Sequence, residues 1–262
     1  MKKIIAAAVA SVFAFAGQAM AAEKAPIVLV HGAFENADVW GHVTAKLEMD
    51  GYRVVTVNLP GRPGNPMSPV DVSLDAYRDT VVSALGSESA PAVVVGHSFG
   101  GIVISAAAEA APEKIKTLVY LAAYLPQNGD SLVSLAQQDH DAKIGPHLQI
   151  NQTTGLASIE YSARADLFAN GGPEGLRAAI PNLILDEPVA PLATPVQLTA
   201  GRFGQVDKVY IHTALDQIIS PAFQAEMVSR TPVRMEATLP TGHTPFLTDP
   251  DGLAEAIERA AQ

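Results

Sequence analysis

The chain has 262 residues, of which 48% are hydrophobic, and its 27 acidic and 17 basic side chains give a formal net charge of −10. This length is enough for one large domain with a substantial core. The acidic balance argues against nucleic acid or anionic lipid as a partner, because no basic run offsets it. The absence of Cys excludes disulfides, a thiol nucleophile and thiolate metal sites.

The first 21 residues have the pattern of a secretory signal peptide. Lys2 and Lys3 precede an uncharged apolar run over residues 4–16, which is too short to span a bilayer, and an A-x-A site predicts cleavage after Ala21. We therefore expect a periplasmic or secreted protein without stable membrane insertion after cleavage, with residues 22–262 forming a single domain. The alternative is an uncleaved N-terminal anchor.

Strand and helix patterns alternate from residue 26 to residue 121. Short β-branched runs predict buried strands at 26–30, 53–57, 93–95 and 115–121, and apolar residues at helical spacing predict helices at 39–50, 74–85 and 100–111. Trp40, the single Trp, is expected to anchor the first helix on the sheet. Short right-handed crossovers between such units make a mostly parallel sheet with helices on both faces, which is an α/β fold.

The pattern changes between residues 127 and 195. This stretch is richer in polar residues, Gly and Pro, and it has short helical pieces near 131–138, 159–169 and 173–179 without a convincing buried strand. We interpret it as a helical lid inserted at the carboxyl edge of the sheet. The alternative is a set of ordinary surface helices away from any site.

Regular strand and helix patterns return at Lys208. The sequence predicts a strand at 208–213, a helix at 221–230, a strand at 233–239 and a last helix that Thr248 or Asp249 opens together with Pro250.

The segment Gly96-His97-Ser98-Phe99-Gly100 fits G-x-S-x-G, the nucleophile elbow, in which a sharp strand-to-helix turn lifts a serine hydroxyl clear of the backbone. A serine hydroxyl needs a His base, and the His needs a carboxylate to fix its tautomer. In elbow proteins these residues follow in the order Ser, acid, His, each after a strand. Ser98, Asp216 and His243 satisfy that order, whereas Asp186 lies in the lid and Asp207 precedes its strand.

The negative charge that develops during attack needs backbone N–H donors. We expect these from Phe99, which follows the nucleophile, and from Ala33, in the loop after the first strand. His31 and His97 adjoin the same turns and are expected to orient the backbone. The sequence has no metal-binding or nucleotide-binding motif, so we expect no metal and no cofactor.

Five segments resemble the α/β-hydrolase superfamily, and within it the branch of plant methyl esterases, such as the salicylic-acid-binding esterase, and hydroxynitrile lyases. They are VLVHGAFENADVW, VVVGHSFGG, LVYLAAYLP, RFGQVDKVYIHT and GHTPFL. The resemblance implies a substrate pocket bordered by Gly32 and lined by Phe34, Phe99, Tyr124, Leu125 and Phe246, with Phe168 or Tyr161 added by the lid. The lid itself matches poorly, so the resemblance is more informative about the type of reaction than about the identity of the substrate.

The function predicted from these features is hydrolysis of a small to medium, largely uncharged ester through an acyl-enzyme. A lactonase or another hydrolase or lyase of the same fold is an alternative, and so is a ligand-binding receptor with little turnover. Lyases of the resembling branch have Thr where this chain has Gly32, and Lys where it has Thr244, which favours ester hydrolysis. The sequence does not predict an oligomeric state.

Overall fold

Six strands form the central sheet of this computed structural model, which describes residues 24–262. The predicted signal peptide, residues 1–21, lies outside the described residues. The strands of the whole described chain are β1 (Ile27–Val30), β2 (Val54–Val57), β3 (Ala92–His97), β4 (Ile115–Leu121), β5 (Leu148–Asn151), β6 (Leu156–Ile159), β7 (Glu187–Pro188), β8 (Asp207–Thr213) and β9 (Met235–Leu239).

The α-helices connect these strands or follow them. They are α1 (Gly41–Met49), α2 (Leu74–Gly86), α3 (Gly100–Ala110), α4 (Leu132–Ala136), α5 (Arg164–Phe168), α6 (Glu174–Ala179), α7 (Val189–Ala193), α8 (Pro221–Arg230), α9 (Pro245–Thr248) and α10 (Pro250–Ala261). Side-chain caps mark several starts: Ser73 caps α2, Ser220 caps α8, and Asp249 caps α10. In the described residues, none of these helices is both long and apolar enough to cross a membrane.

The central sheet has the strand order β2-β1-β3-β4-β8-β9, and every neighbouring pair is parallel. The direction in which strands are added reverses between β1 and β3, because β2 lies on one side of β1 and the later strands of this sheet lie on the other. Loops after parallel strands meet at one edge of the sheet, and such a reversal opens a crevice there. The loops after β1, β3, β8 and β9 carry the predicted site residues to this edge.

Two hydrophobic cores cover the two faces of the sheet, as the period-2 alternation of a strand requires. In β1, Val28 and Val30 pack with α2 and α3, whereas Ile27 and Leu29 pack with α1 and α10. Trp40 is fully buried in the second core beside Phe246, with 5.0 Å between the ring centroids. The predicted α/β fold with helices on both faces is therefore confirmed.

Between β4 and β8 the chain forms the predicted insertion with short helices, and it also forms a sheet that the sequence does not predict. Strands β5, β6 and β7 pair antiparallel in that order. Strand β5 is exposed throughout, β6 is only half buried, and β7 has two residues. Such short strands lack the buried β-branched run on which strand prediction depends.

Candidate active site

Ser98 occupies a strained turn between β3 and α3. Its φ of +54° lies in the left-handed region, which is uncommon for a residue other than glycine. The Ser98 N–H donates to the carbonyl of Leu121 at 3.2 Å, and the Ser98 carbonyl accepts from Tyr124 N–H at 3.1 Å. Bonds to the end of β4 therefore hold the turn in place and present the serine side chain at the carboxyl edge of the sheet.

The two glycines of the G-x-S-x-G segment are required by close backbone approaches. A Cβ on Gly96 would lie 2.6 Å from the carbonyl oxygen of Gly100, and a Cβ on Gly100 would lie 2.9 Å from the carbonyl oxygens of Val30 and His31. Side-chain carbons essentially never come this close to backbone oxygens. Helix α3 therefore packs directly under the turn only because both positions lack a side chain.

His243 and Asp216 come together from the loops after β9 and β8. The Nδ1 atom of His243 lies 2.8 Å from Oδ2 of Asp216, and both side chains are buried. A carboxylate at Nδ1 fixes the tautomer with the proton on that nitrogen and leaves Nε2 free to act as a base. This is the arrangement that the chain order of Ser98, Asp216 and His243 predicts.

The Asp216 carboxylate is surrounded by donors. Its Oδ1 atom accepts from the N–H groups of Ile218 at 2.8 Å and Ile219 at 3.1 Å. Its Oδ2 atom accepts from Thr213 Oγ1 at 2.8 Å and from Gln224 Nε2 at 3.2 Å, in addition to His243. These bonds fix the orientation of Asp216, and through it they fix the ring of His243.

Ser98 and His243 line the same cavity, but among the described hydrogen bonds none joins them. Hydrogen bonds between nucleophile and base are often long before substrate binds and tighten when it does. Because both residues line one cavity, a molecule bound there can contact both of them.

Two backbone N–H groups beside Ser98 are available to an oxyanion. Neither the Ala33 N–H nor the Phe99 N–H donates a hydrogen bond to another group of residues 24–262. The loop that carries Ala33 lies against Ser98, since a Cβ on Gly32 would be 2.8 Å from Cβ of Ser98. Free donors at this place are the features that stabilise a tetrahedral oxyanion.

His31 sets the direction of the Ala33 N–H. Its Nε2 atom accepts from Leu59 N–H at 3.1 Å, so the ring proton is on Nδ1, which donates to the Gly32 carbonyl at 2.8 Å. The carbonyl of Gly32 and the N–H of Ala33 belong to one trans peptide and point in opposite directions. Burial, together with the nearby Arg62 guanidinium, lowers the pKa of His31 to about 4, which keeps the ring neutral.

The cavity has a volume of about 170 Å³ and is mostly apolar. Ala33, Phe34, Ser98, Tyr124, Ile218 and His243 line it from the sheet edge. The insertion contributes Leu132, Ala136, Ile144, Leu148, Phe168 and Leu192. The insertion therefore supplies much of the wall, as expected of a lid.

Several residues expected in the pocket lie elsewhere. Phe246 packs on Trp40 and His97 in the second core, and Phe99 packs on Tyr77. The N–H of Leu125 contacts the sulfur of Met227 in α8, and Tyr161 is exposed on the lid. Gly32 borders Ser98 but does not line the cavity. Of the residues expected from the resemblance, the cavity contains Phe34, Tyr124 and Phe168.

Asp139 is a cavity residue that sequence reasoning missed. Its Oδ2 atom accepts from the N–H of Ser220, at the start of α8, at 2.7 Å, and the residue is buried beside Tyr124. A single Asp in a divergent, polar stretch carries no signal that would single it out. Within residues 24–262, no group of three or more His, Asp or Glu side chains is arranged to hold a metal ion.

Glu187 is a second residue missed by sequence reasoning, and it fastens the lid to the site. This fully buried carboxylate pairs with the guanidinium of Arg62, and it accepts from Tyr77 OH at 3.1 Å and from Phe34 N–H at 2.8 Å. The Phe34 carbonyl in turn accepts from Leu185 N–H at 2.8 Å. The lid is thus bonded directly to the loop that presents Ala33.

Comparisons with known proteins give matches along most of the chain. The sequence profile described as the alpha/beta hydrolase family matches residues 27–256. A pyrethroid hydrolase of Sphingobium wenxiniae is 29% identical over 241 residues, covering 88% of this chain and 85% of that protein. Methyl jasmonate esterase 1 of Vitis vinifera is 26% identical over 254 residues, covering 90% and 96%. The crystal structure of a pyrethroid hydrolase from Sphingobium faniae superposes with a TM-score of 0.79 at 26% identity, covering 90% and 97%.

Proposed function

The chain belongs to the alpha/beta hydrolase family, and from this membership we propose that it is an exported serine carboxylic ester hydrolase working through an acyl-enzyme. The observation that carries the proposal is a cavity lined by a strained Ser98 and by His243, which pairs with Asp216 at 2.8 Å, together with two free backbone N–H groups beside Ser98. The esterase and hydrolase names of relatives that match along most of their length support the same reaction class.

In the proposed mechanism, Ser98 Oγ attacks the ester carbonyl while Nε2 of His243 takes the hydroxyl proton. The N–H groups of Ala33 and Phe99 stabilise the oxyanion of the tetrahedral intermediate. His243 then gives its proton to the leaving alcohol, and the acyl group remains on Ser98. A water molecule, deprotonated by His243, attacks the acyl-enzyme and releases the acid, which restores the serine hydroxyl.

The substrate proposed for this cavity is a small to medium, largely uncharged ester. Apolar side chains form most of the wall, which favours apolar groups. The carboxylate of Asp139 lies at the cavity. A carboxylate on the substrate would be repelled by it and would lose its hydration there. A free acid group on either side of the ester is therefore expected to weaken binding.

Cyanohydrin cleavage is disfavoured by two residues of this site. A side chain at position 32 would meet Ser98 and His97 at less than 3 Å, so the loop has no room for the Thr of the resembling lyases. Thr244 is neutral, and its hydroxyl donates to the Phe168 carbonyl in the lid. Position 244 therefore lacks the positive charge that the lyase Lys would place beside a leaving cyanide.

The decisive experiment uses purified mature protein, residues 22–262. We expect turnover of short p-nitrophenyl esters that is abolished in Ser98→Ala, and weaker activity on esters that carry a free carboxylate. Binding of esters without turnover would favour a receptor instead. Cyanide release from mandelonitrile that depends on Ser98 and exceeds ester turnover would contradict the proposal.

Export is part of the proposal and has its own test. It is supported by the basic residues, apolar run and A-x-A site that precede Ala22. Intact-mass measurement of protein from the periplasm or medium should give a chain that begins at Ala22. A chain that retains Met1 in the membrane fraction would contradict it.

A further inference from the structure

His97, the residue before the candidate nucleophile, faces an acceptor on each of its ring nitrogens. Its Nδ1 atom lies 3.0 Å from Oε2 of Glu35, and its Nε2 atom lies 2.8 Å from the carbonyl oxygen of His243. The His97 ring is fully buried, and Glu35 is nearly so. His97 is the last residue of β3, whereas Glu35 and His243 come from the loops after β1 and β9.

The number of N–H protons on the His97 ring restricts the charge of the His97 and Glu35 side chains. A neutral imidazole has one N–H and can satisfy only one of two acceptors, whereas an imidazolium has two. A backbone carbonyl can never donate, so Nε2 of His97 must carry a proton. Two states then remain for the bond between Nδ1 and Glu35. In the first, the His97 ring is charged and its Nδ1–H donates to the Glu35 carboxylate. In the second, the ring is neutral and Nδ1 accepts from a protonated Glu35.

The second bond of the same Glu35 oxygen favours the charged pair. Oε2 also accepts from the Gly32 N–H at 3.0 Å, so one oxygen receives two donors, as a carboxylate does. Burial opposes ionisation of both groups, but their mutual attraction outweighs it: the pKa of His97 is raised and the pKa of Glu35 is lowered. His31, His243 and Asp216 are the other titratable groups that act on this pair.

We propose that His97 and Glu35 form a buried imidazolium–carboxylate pair that positions the oxyanion loop and the His243 loop around Ser98, an inference that rests on the proposed function. Glu35 holds Gly32 N–H, next to the oxyanion donor Ala33, and His97 holds the backbone of His243. Bonds in which one partner is charged are about twice as strong as neutral ones. The pair therefore acts as a positioning device rather than as a proton carrier.

The charge state can be measured on the unmodified protein without substrate. In a ¹⁵N-labelled sample, both ring nitrogens of His97 should show the shift of a protonated nitrogen at pH 8, where an ordinary imidazole is only about 3% charged. The His97 signals are assigned by their through-space contacts to Phe246, whose ring centroid lies 4.8 Å away. An unprotonated nitrogen on His97 at pH 8 would overturn the proposal, whether or not the protein hydrolyses esters.

The positioning role is tested by Glu35→Gln, which keeps the shape of the side chain and removes its charge. We expect kcat on a p-nitrophenyl ester to fall by about tenfold or more while KM changes by less than about threefold, because the loops are displaced and the pocket is not. In the same variant, His97 should titrate near neutral pH or below in the NMR spectrum. An unchanged kcat in a folded Glu35→Gln protein would refute the positioning role.

A matched control and a double variant complete the test. Glu160→Gln removes the carboxylate of a second His–Glu pair, His147 with Glu160 at 2.9 Å, which is exposed on the lid, and it should leave kcat within about twofold. If His97 and Glu35 act as a unit, combining Glu35→Gln with His97→Gln should lower kcat little further than the worse single change. Additive losses would mean that the two residues act independently and would contradict the pair.

Discussion

Gly32→Ala perturbs the proposed oxyanion hole while Ser98, Asp216 and His243 are not substituted. The added Cβ would lie 2.8 Å from Ser98 Cβ, 2.9 Å from His97 Nδ1 and 3.2 Å from Glu35 Oε2. Carbon atoms pack at about 3.5–4.0 Å, so the loop must retreat by roughly 1 Å. A displacement of this size at a reacting centre can cost about 10²-fold in rate.

This displacement of the loop also moves the N–H of Ala33, because that N–H belongs to the peptide that joins Gly32 to Ala33. Loss of one oxyanion donor typically lowers kcat by about 10²–10³, or roughly 2.7–4 kcal/mol of transition-state stabilisation, and we expect Gly32→Ala to approach this range. The assay is kcat on p-nitrophenyl butyrate, with far-UV circular dichroism to verify folding. Gly41→Ala is the matched control, because a Cβ there meets nothing within 4 Å. A folded Gly32→Ala protein with kcat close to wild type would refute the assignment of this loop.

Three further predictions concern the acid, the lid and pH. Asp216→Asn should lose most of its kcat, by about 10⁴-fold, because the amide stabilises the wrong tautomer of His243, and near-wild-type turnover would exclude Asp216 as the acid. Glu187→Gln should lower the free energy of unfolding in urea by about 3–5 kcal/mol, because it leaves the buried Arg62 charge without its partner, whereas the exposed Glu226→Gln should change it by less than about 0.5 kcal/mol. The depressed pKa of His31 contributes stability that is complete above about pH 6.5 and is lost as pH falls toward 4. Between pH 7 and pH 4.5, the free energy of unfolding in urea should therefore fall by about 2 kcal/mol more in the wild type than in His31→Asn. Equal decreases in the two proteins would contradict the assignment of His31 as buried and neutral.

The framework of the site could be predicted because its signals are local. A β-branched run, a G-x-S-x-G turn and a helix follow one another directly, and the predicted bounds of helix 221–230 agree with α8. Parallel connectivity then brings the loops after the strands to one edge, so the order of Ser98, Asp216 and His243 predicts their neighbourhood. The 2.8 Å contact between His243 and Asp216 agrees with that prediction.

The contacts of the lid and the bonds of the buried polar groups could not be predicted, because the partners are distant in sequence. Glu187 lies 125 residues from Arg62 and 153 from Phe34, with which it bonds. Asp139 acquires its place at the cavity only because it accepts from Ser220, 81 residues later. Phe246 depends on a local ambiguity instead: an aromatic residue next to the site loop can pack either into the pocket or into the core, and here Trp40 supplies a core partner.

The most direct measurement of the central claim is covalent labelling of the mature protein with an alkyl fluorophosphonate, followed by tandem mass spectrometry. A serine activated by His243 displaces fluoride and retains the phosphonyl group, so we expect one label per chain, on Ser98, with loss of esterase activity in proportion to labelling. Ser98→Ala should remain unlabelled and inactive. Esterase activity that survives in Ser98→Ala, or a label on another residue that abolishes the activity, would exclude Ser98 as the nucleophile.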